Sequence, residues 1–188
     1  MRIIAGQHRG LNLASVGKGD AAAHLRPTPD RVRESLFNVL MGYDLPRGAR
    51  VLDLFAGTGA LGLEALSRGA THTTFVDNGR VAQKLIRENL GKARREADAN
   101  LLTCAVDKLP PAPTGCDLIF LDPPYGKSLG AAAIASAHSK GWIAPEALIV
   151  LEDSTPQAVA GYPILDQRKY GDTHITLLRA INPDQYVG

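Results

Sequence analysis

From residue 50 onward, short apolar runs alternate with longer segments that carry apolar residues at helical spacing, and this alternation restricts the fold more than any other feature. The apolar runs lie at residues 51–55, 73–77, 101–105, 118–121 and 147–152, and the helical segments lie at 60–68, 81–93 and 131–139. Strands that are apolar throughout and are separated by helices belong to a parallel sheet covered on both faces. The sequence therefore predicts an α/β, Rossmann-like fold.

The end of the chain breaks this alternation. Residues 163–170 and 173–180 have the pattern of two strands joined tightly at Gly171 and Asp172, with no helix between them. Strands joined by so short a turn must be antiparallel neighbours. We therefore expect a seven-stranded, mostly parallel sheet with an antiparallel C-terminal hairpin strand at its edge.

The N-terminal part has a different pattern. Residues 1–14 alternate loosely around two glycines, which predicts a small β-hairpin. A helix follows, and Thr28 or Asp30 could cap its first turn. We therefore divide the chain into an N-terminal extension of hairpin and first helix, residues 1–42, and a main domain, residues 43–188.

Positive charge is concentrated near the N-terminus. Residues 1–50 contain eight Lys and Arg against four Asp and Glu, a net charge of +4, and the remainder contains thirteen against fifteen, a net charge of −2, so the whole chain has +2. A basic segment on a near-neutral body suggests an anionic partner such as nucleic acid. The candidate contacts to its phosphates are Arg2, His8, Arg9, Lys18 and Lys127.

Composition argues against several classes of protein. A hydrophobic content of 45% and a charged content of 21% are ordinary for a globular domain. No apolar run reaches the roughly 18 residues of a membrane span. Two cysteines, Cys104 and Cys116, provide neither a disulfide framework nor a metal-ligand cluster. We expect a cytoplasmic protein without a metal and without membrane contact.

A glycine-rich turn follows the first apolar run of the main domain. Gly57, Gly59 and Gly62 fit the pattern G-x-G-x-x-G, and Asp77 ends the next run 20 residues after Gly57. This spacing is typical of a backbone turn that approaches a nucleotide and of a carboxylate that binds ribose hydroxyls. Nicotinamide dinucleotides and S-adenosylmethionine (SAM) both fit it. Asp53 favours SAM, because a carboxylate beside the turn suits a sulfonium and an ammonium but not a pyrophosphate.

The fourth apolar run leads directly into Asp122, Pro123, Pro124 and Tyr125. This tetrapeptide resembles the signature of methyltransferases that modify exocyclic amines of nucleobases. Such an amine is a poor nucleophile because its lone pair is delocalised into the ring, so a site must hold it by its hydrogens. The Asp122 carboxylate and the Pro123 carbonyl can accept those hydrogens, and the prolines fix the backbone. Tyr125 offers an aromatic face for a flipped base.

Further segments make the resemblance more specific. They are residues 25–28, 31–38, 52–59, 122–127, 141–142 and 169–173. In these segments the chain resembles the bacterial 16S ribosomal RNA (guanine-N2)-methyltransferases of the RsmD type. That family usually has Arg-Gly-Arg near the end of the N-terminal hairpin, where this chain has Arg9, Gly10 and Leu11. One expected RNA-facing cation is therefore missing.

The resemblance implies a class I SAM-dependent methyltransferase fold. It also implies methyl transfer from SAM, which leaves as S-adenosylhomocysteine, to N2 of a guanine in 16S ribosomal RNA within a 30S subunit or an assembly intermediate. The implied catalytic residues are Asp122, Pro123, Pro124 and Tyr125. The implied cofactor-binding residues are Asp53, Phe55, Ala56, Gly57, Thr58, Gly59, Asp77, Asn78, Val106, Asp107, Arg26, Thr28 and Glu34. Asp77 is expected at the ribose, Asp107 at the adenine and the segment 26–34 over the methionine end.

Three other functions stay open on the sequence. A DNA adenine-N6 or cytosine-N4 methyltransferase shares the tetrapeptide but usually needs a separate target-recognition domain, for which 188 residues leave no space. An NAD-dependent oxidoreductase shares the glycine turn. A cofactor-free RNA-binding assembly factor agrees with the basic extension but leaves Asp53, Asp77 and Asp122 without a purpose.

Overall fold

The computed structural model describes residues 1–16, 25, 27–124 and 129–181. The helices are α1 (Asp30–Met41), α2 (Ala60–Ser67), α3 (Arg80–Ala93) and α4 (Leu129–Ser139). The strands are β1 (Arg50–Leu54), β2 (His72–Val76), β3 (Ala99–Leu102), β4 (Cys116–Leu121), β5 (Ile143–Asp153), β6 (Ile164–Tyr170) and β7 (Thr173–Arg179). In the described part of the chain, no helix has both the length and the apolar character needed to cross a bilayer.

All seven strands form one sheet in the order β3-β2-β1-β4-β5-β7-β6. The pairs among β1 to β5 are parallel, and β7 is antiparallel to both of its neighbours. This confirms the predicted mostly parallel sheet with an antiparallel hairpin strand. The C-terminal hairpin joins the sheet through its second strand, so β7 lies beside β5 and β6 forms the edge. Because β1 connects onward to β2 on one side and lies beside β4 on the other, the carboxyl ends of β1 and β4 border a crevice.

Apolar side chains cover both faces of the sheet, as expected for parallel strands. One cluster joins α1, α2 and α3 to the sheet and includes Phe37, whose ring centroid lies 5.7 Å from that of Phe120. The other cluster lies beneath α4 and includes Ile134 and Trp142. Ile3 of the N-terminal extension is fully buried in the first cluster. The extension therefore shares the core of the main domain.

The N-terminal residues fold back on themselves in a hairpin-like turn with one isolated antiparallel bridge, Arg2 to Asn12, and without the regular strands of the predicted β-hairpin. The Ile3 N–H donates to the Leu11 carbonyl at 3.0 Å, and the Gly10 N–H donates to the Ile3 carbonyl at 2.9 Å. The hairpin turn presses against the end of α2. A Cβ on Gly6, where φ is +83°, would lie 1.9 Å from the Ser67 carbonyl oxygen, so only glycine fits there.

Glu64 of α2 joins the hairpin to two helices. Its fully buried carboxylate accepts the Ile4 N–H at 2.8 Å and the Ala5 N–H at 3.0 Å. It also pairs with Arg68 Nε at 2.7 Å and with Arg33 Nη1 at 3.7 Å. A buried charge requires such partners. Because α2 begins at the glycine turn, these bonds attach the N-terminal extension to a helix of the candidate site.

The start of α1 differs from the prediction. The helix begins at Asp30, directly after Pro29, and no side chain caps its first turn. The Thr28 hydroxyl donates instead to Glu152 Oε2 on β5, at 2.9 Å. The segment before α1 is therefore attached to the sheet and not to the helix that it precedes.

Candidate active site

A cleft of about 440 Å³ opens at the carboxyl ends of β1, β2 and β4. Its wall combines the glycine turn, the acid after β2, the acid–proline corner after β4 and the segment before α1. The lining residues are Leu25, Pro27, Thr28, Asp53, Phe55, Ala56, Gly57, Thr58, Ala60, Leu61, Asp77, Asn78, Gly79, Arg80, Val81, Ala82, Asp122, Pro123 and Pro124. The structure thus brings the two predicted motifs to one cavity.

The glycine turn has a left-handed backbone at three positions. The φ angles are +59° at Phe55, +58° at Gly57 and +79° at Gly59. Glycine adopts this region without cost, whereas Phe55 is held there against its preference. The third glycine of the motif has another role, because a Cβ on Gly62 would lie 2.4 Å from Phe75 Cε1 on β2. Gly62 therefore allows α2 to pack closely against the sheet.

Asp77 joins the end of β2 to the glycine turn. Its Oδ2 accepts the Gly57 N–H at 3.0 Å, and its Oδ1 accepts the Gly79 N–H at 2.8 Å. An ionised carboxylate can accept about four hydrogen bonds. The two backbone bonds thus orient the group and are compatible with further donors such as a pair of ribose hydroxyls. Asn78 is exposed beside it on the cleft wall.

Asp53 is a buried acid at the base of the cleft. It is 2% exposed, and its Oδ2 accepts the Gly62 N–H at 3.0 Å. Burial raises the pKa of Asp53 to about 8, and the charge of Asp77 raises it further, while the bond from Gly62 opposes the shift. A cation bound in the cleft would stabilise the ionised form of Asp53. The environment of Asp53 therefore suits a positively charged ligand.

The acid–proline corner contributes a second carboxylate. Burial of its carboxyl group raises the pKa of Asp122 well above the ordinary value, and the nearby charges of Glu152, Asp53 and Asp153 add to this. Pro123 is buried and Pro124 is exposed on the cleft wall. Within the residues that the structure describes, no three His, Cys, Asp or Glu side chains come together as potential metal ligands. Tyr125 lies outside the described residues.

The segment before α1 forms the wall opposite the glycine turn. Leu25 Cδ2 lies 3.6 Å from the position that a Cβ on Gly57 would occupy. Pro27 and Thr28 continue this wall, and Thr28 is fixed by its bond to Glu152. Of the cofactor-binding residues predicted in this segment, Thr28 thus lies at the cleft, while Arg26 falls outside the described residues.

Four predicted cofactor-binding residues of the described chain are not in the lining of the cleft. One is Gly59, within the glycine turn, and the others are Val106, Asp107 and Glu34. Val106 is buried in a 3₁₀ turn, where its carbonyl accepts the Ser136 hydroxyl at 2.7 Å. Asp107 is exposed and lies 3.7 Å from Lys108 Nζ. Glu34 is exposed on α1 and lines a separate cavity of about 280 Å³ between α1 and the hairpin. A contact of these residues with a cofactor stays a prediction.

The candidate phosphate contacts have different environments. Arg2 and Arg9 are exposed and line the second cavity together with Arg31. His8 is half-buried, and burial together with the charge of Arg95 lowers its pKa, so its imidazole is neutral at pH 7. Lys18 and Lys127 lie outside the described residues.

Two residues of this region escaped sequence reasoning. Asn89 of α3 is fully buried, and its amide donates to the Thr58 carbonyl at 2.9 Å and to the Ala14 carbonyl at 3.1 Å. Its oxygen accepts the Ala14 N–H at 2.6 Å, so it ties the glycine turn to the hairpin. Glu152 is the second such residue. Both stand at otherwise apolar positions, which is the same signal that singles out Asp53.

The chain is similar to known proteins over most of its length. The family described as Conserved hypothetical protein 95 matches residues 1–179. The ribosomal RNA small subunit methyltransferase D of Escherichia coli (strain K12) is 37% identical over 167 residues, which are 87% of this chain and 79% of that protein. The protein of the same name from Haemophilus influenzae is 38% identical over 156 residues, which are 81% of this chain and 78% of that protein. The solved structure of Escherichia coli yhhF has 35% identity and a TM-score of 0.82, and it covers 96% of this chain and 98% of its own.

Proposed function

We propose, on the premise that this chain belongs to the Conserved hypothetical protein 95 family of RsmD-type methyltransferases, that it transfers a methyl group from SAM to N2 of a guanine in 16S ribosomal RNA. The fold is that of the class I SAM-dependent methyltransferases. One observation carries the proposal: a single cleft is lined both by the glycine turn with Asp53 and Asp77 and by Asp122 with its prolines. A donor and an acceptor that bind to the two motifs therefore meet in one cavity.

The residues of the cleft fit SAM. Gly57 presents backbone without a side chain, and Asp77 can accept hydrogen bonds from ribose hydroxyls beside its two backbone bonds. Asp53 is a buried carboxylate that a cation would stabilise. When bound, SAM supplies a methyl group on a positively charged sulfur. A pyrophosphate would add negative charge beside an acid that already ionises with difficulty, so the NAD alternative is disfavoured.

We infer that Asp122 and the Pro123 carbonyl hold the two hydrogens of the acceptor amine. Methyl transfer forms an N–C bond, breaks an S–C bond and releases one proton from the amine nitrogen. Asp122 accepts this proton, because its raised pKa increases its affinity for it. Tyr125 provides the aromatic face on which the flipped base stacks.

The RNA substrate is proposed from the names of the relatives together with the charge of the N-terminal extension. Both relatives described above are small-subunit ribosomal RNA methyltransferases by name. Residues 1–42 supply the exposed Arg2 and Arg9, which would contact phosphates, and Lys18 and Lys127 are further candidates. His8 would act as a neutral hydrogen-bond donor. The partner is 16S ribosomal RNA, in a 30S subunit or an assembly intermediate.

The remaining alternatives have less support. A DNA amino-methyltransferase shares the acid–proline corner, but the relatives that match this chain along most of its length carry names of ribosomal RNA enzymes. A cofactor-free assembly factor leaves the buried charge of Asp53 unexplained.

The test is methyl transfer from isotopically labelled SAM to 30S subunits, naked 16S RNA and duplex DNA in parallel. Mass spectrometry of the digested RNA then identifies the modified nucleotide. We expect one N2-methylguanosine in 16S RNA. Label in DNA alone, or on another atom of the RNA, would contradict the proposed substrate. Isothermal titration with S-adenosylhomocysteine and with NAD separates the two cofactor classes.

A further inference from the structure

We infer that Glu152 is a specificity residue, whose carboxylate forms with Asp122 a pair of acceptors that selects guanine over adenine and cytosine. Asp122 receives one hydrogen of the N2 amine, with the Pro123 carbonyl at the other, and Glu152 receives the neighbouring N1–H. The inference rests on the proposed function, since it assumes that a nucleobase amine binds at Asp122.

The strand register brings the two acids side by side. β4 and β5 are parallel and pair Leu121 with Leu151, so Asp122 and Glu152 are the next neighbours along the two strands. Neighbouring residues in such a register project to the same side of the sheet, and adjacent strands lie about 4.8 Å apart. Glu152 is therefore beside Asp122 on the same side of the sheet. Asp153, the following residue, projects to the opposite side.

Glu152 is not itself a lining residue of the cleft, but it is hydrogen-bonded to one. Thr28 lines the cleft, and its hydroxyl donates to Glu152 Oε2 at 2.9 Å. Thr28 and Glu152 are each 6% exposed, so the bond is shielded from water. A carboxylate can accept about four hydrogen bonds. The bond from Thr28 therefore orients the group and is compatible with a second donor that arrives from the cleft.

Two poorly solvated carboxylates side by side repel each other. Glu152 is the strongest of the charges that raise the pKa of Asp122. The sulfonium of the methyl donor suits Asp53, whose charge also acts on Asp122. Hydrogen donors on the acceptor base would relieve the repulsion between Asp122 and Glu152, because a carboxylate that accepts hydrogen bonds ionises more easily.

Guanine presents such donors next to each other. Its N1–H lies beside the N2 amine, so two neighbouring carboxylates match two hydrogens on adjacent nitrogens, and the Pro123 carbonyl accepts the third. In adenine the ring nitrogen beside the amine carries a lone pair, and the same is true of N3 in cytosine. A carboxylate that faces a lone pair is repelled, so the pair that accepts guanine rejects the other amines.

The test replaces the target guanine with analogues that lack the hydrogen on N1. Small subunits are reconstituted on 16S RNA that carries guanosine, 2,6-diaminopurine riboside or 2-aminopurine riboside at the mapped position. Both analogues keep the 2-amino group but carry a lone pair at N1. Wild-type protein should methylate guanine about 10- to 100-fold faster than either analogue, the loss expected for one hydrogen bond to a charged group. Glu152→Gln, whose amide can turn an N–H towards that lone pair, should reduce the preference to about threefold or less.

Asp153→Asn is the matched control, because it removes one acid from the same strand on the opposite side. It should keep the wild-type preference. S-adenosylhomocysteine affinity and thermal unfolding check that each variant is folded. Thr28→Val, which removes the orienting hydroxyl, is the second variant and should reduce the preference severalfold.

Three results would overturn the assignment of Glu152. They are equal methylation of guanine and both analogues by wild-type protein, an unchanged preference in Glu152→Gln, and an equal loss of preference in Asp153→Asn. Failure of the wild-type protein to methylate guanine-containing subunits would instead contradict the proposed function. The two failures are therefore distinguishable.

Discussion

Replacing Asp53 with asparagine should make the cofactor-free protein more stable and a poorer binder of SAM. Burial is the main reason that the pKa of Asp53 rises to about 8. Asparagine has nearly the same shape, and its carbonyl oxygen can still accept the Gly62 N–H. The substitution therefore removes an acid that has to take up a proton when the protein folds at neutral pH, with little change in packing.

The magnitude follows from proton binding. In the unfolded chain the carboxyl loses its proton near pH 4, whereas in the folded protein it keeps the proton up to about pH 8. Between these values the unfolded state is increasingly favoured as the pH rises. Asp53 therefore does not lower the free energy of unfolding below pH 4, and it lowers it most above pH 8. A tenfold change in proton affinity is worth about 1.4 kcal/mol, so the cost grows by at most about 3 kcal/mol between pH 5 and pH 7.

The assay is urea unfolding of cofactor-free wild-type protein and Asp53→Asn at both pH values. The variant should gain about 1–3 kcal/mol over wild type between pH 5 and pH 7. Titration at pH 7 should show weaker binding of SAM to the variant, and release of protons when SAM binds to wild type, because a nearby cation favours the ionised acid. A difference in unfolding free energy that does not change with pH would mean that Asp53 is already ionised at pH 5, and it would refute the argument from burial.

Three other substitutions test separate parts of the site. Asp122→Ala should lower kcat by about 10²- to 10⁴-fold and leave the affinity for S-adenosylhomocysteine nearly unchanged. Asp117→Asn, at an exposed acid on β4, is the control. An equal loss of affinity would contradict the role of Asp122 towards the amine. Gly62→Ala should lower the free energy of unfolding by about 1–3 kcal/mol in thermal unfolding, because its Cβ would lie 2.4 Å from Phe75 Cε1 on β2. A loss of SAM affinity without this destabilisation would mean that Gly62 contacts the ligand. Arg9→Ala should reduce the slope of log Kd for 16S RNA against the logarithm of salt concentration by about 0.7–0.9, the value for one phosphate contact. Arg87→Ala, at an exposed position on α3, should leave the slope unchanged. An unchanged slope in Arg9→Ala would exclude Arg9 from the RNA interface.

The strands and helices were predictable because burial acts on neighbouring residues. Each apolar run that the sequence indicates is a strand of the sheet, with differences only at the ends. The inward position of β7 was not predicted, although β7 is buried at its centre and β6 is largely exposed. A hairpin can dock on a sheet through either strand, and the more apolar strand occupies the inner position.

The candidate site was predictable where its residues form local motifs. Asp53, Asp77 and Asp122 line one cleft, because each lies near or directly after the end of a parallel strand and these ends meet at one edge of the sheet. Asn89 and Glu152 were not predicted. Their partners lie far away in the chain, at sequence separations of 75 for Asn89 and Ala14 and 124 for Glu152 and Thr28.

The sequence by itself determined the class of fold and the chemical groups at the strand ends, since both depend on patterns that span a few residues. The tertiary structure alone decided which of these groups share a cavity, and it assigned Glu34 to a different one. It also decided which acids are deprived of water and which carboxylates neighbour each other across β4 and β5. These properties depend on how distant segments dock, and docking is set by packing over the whole core and not by any local pattern.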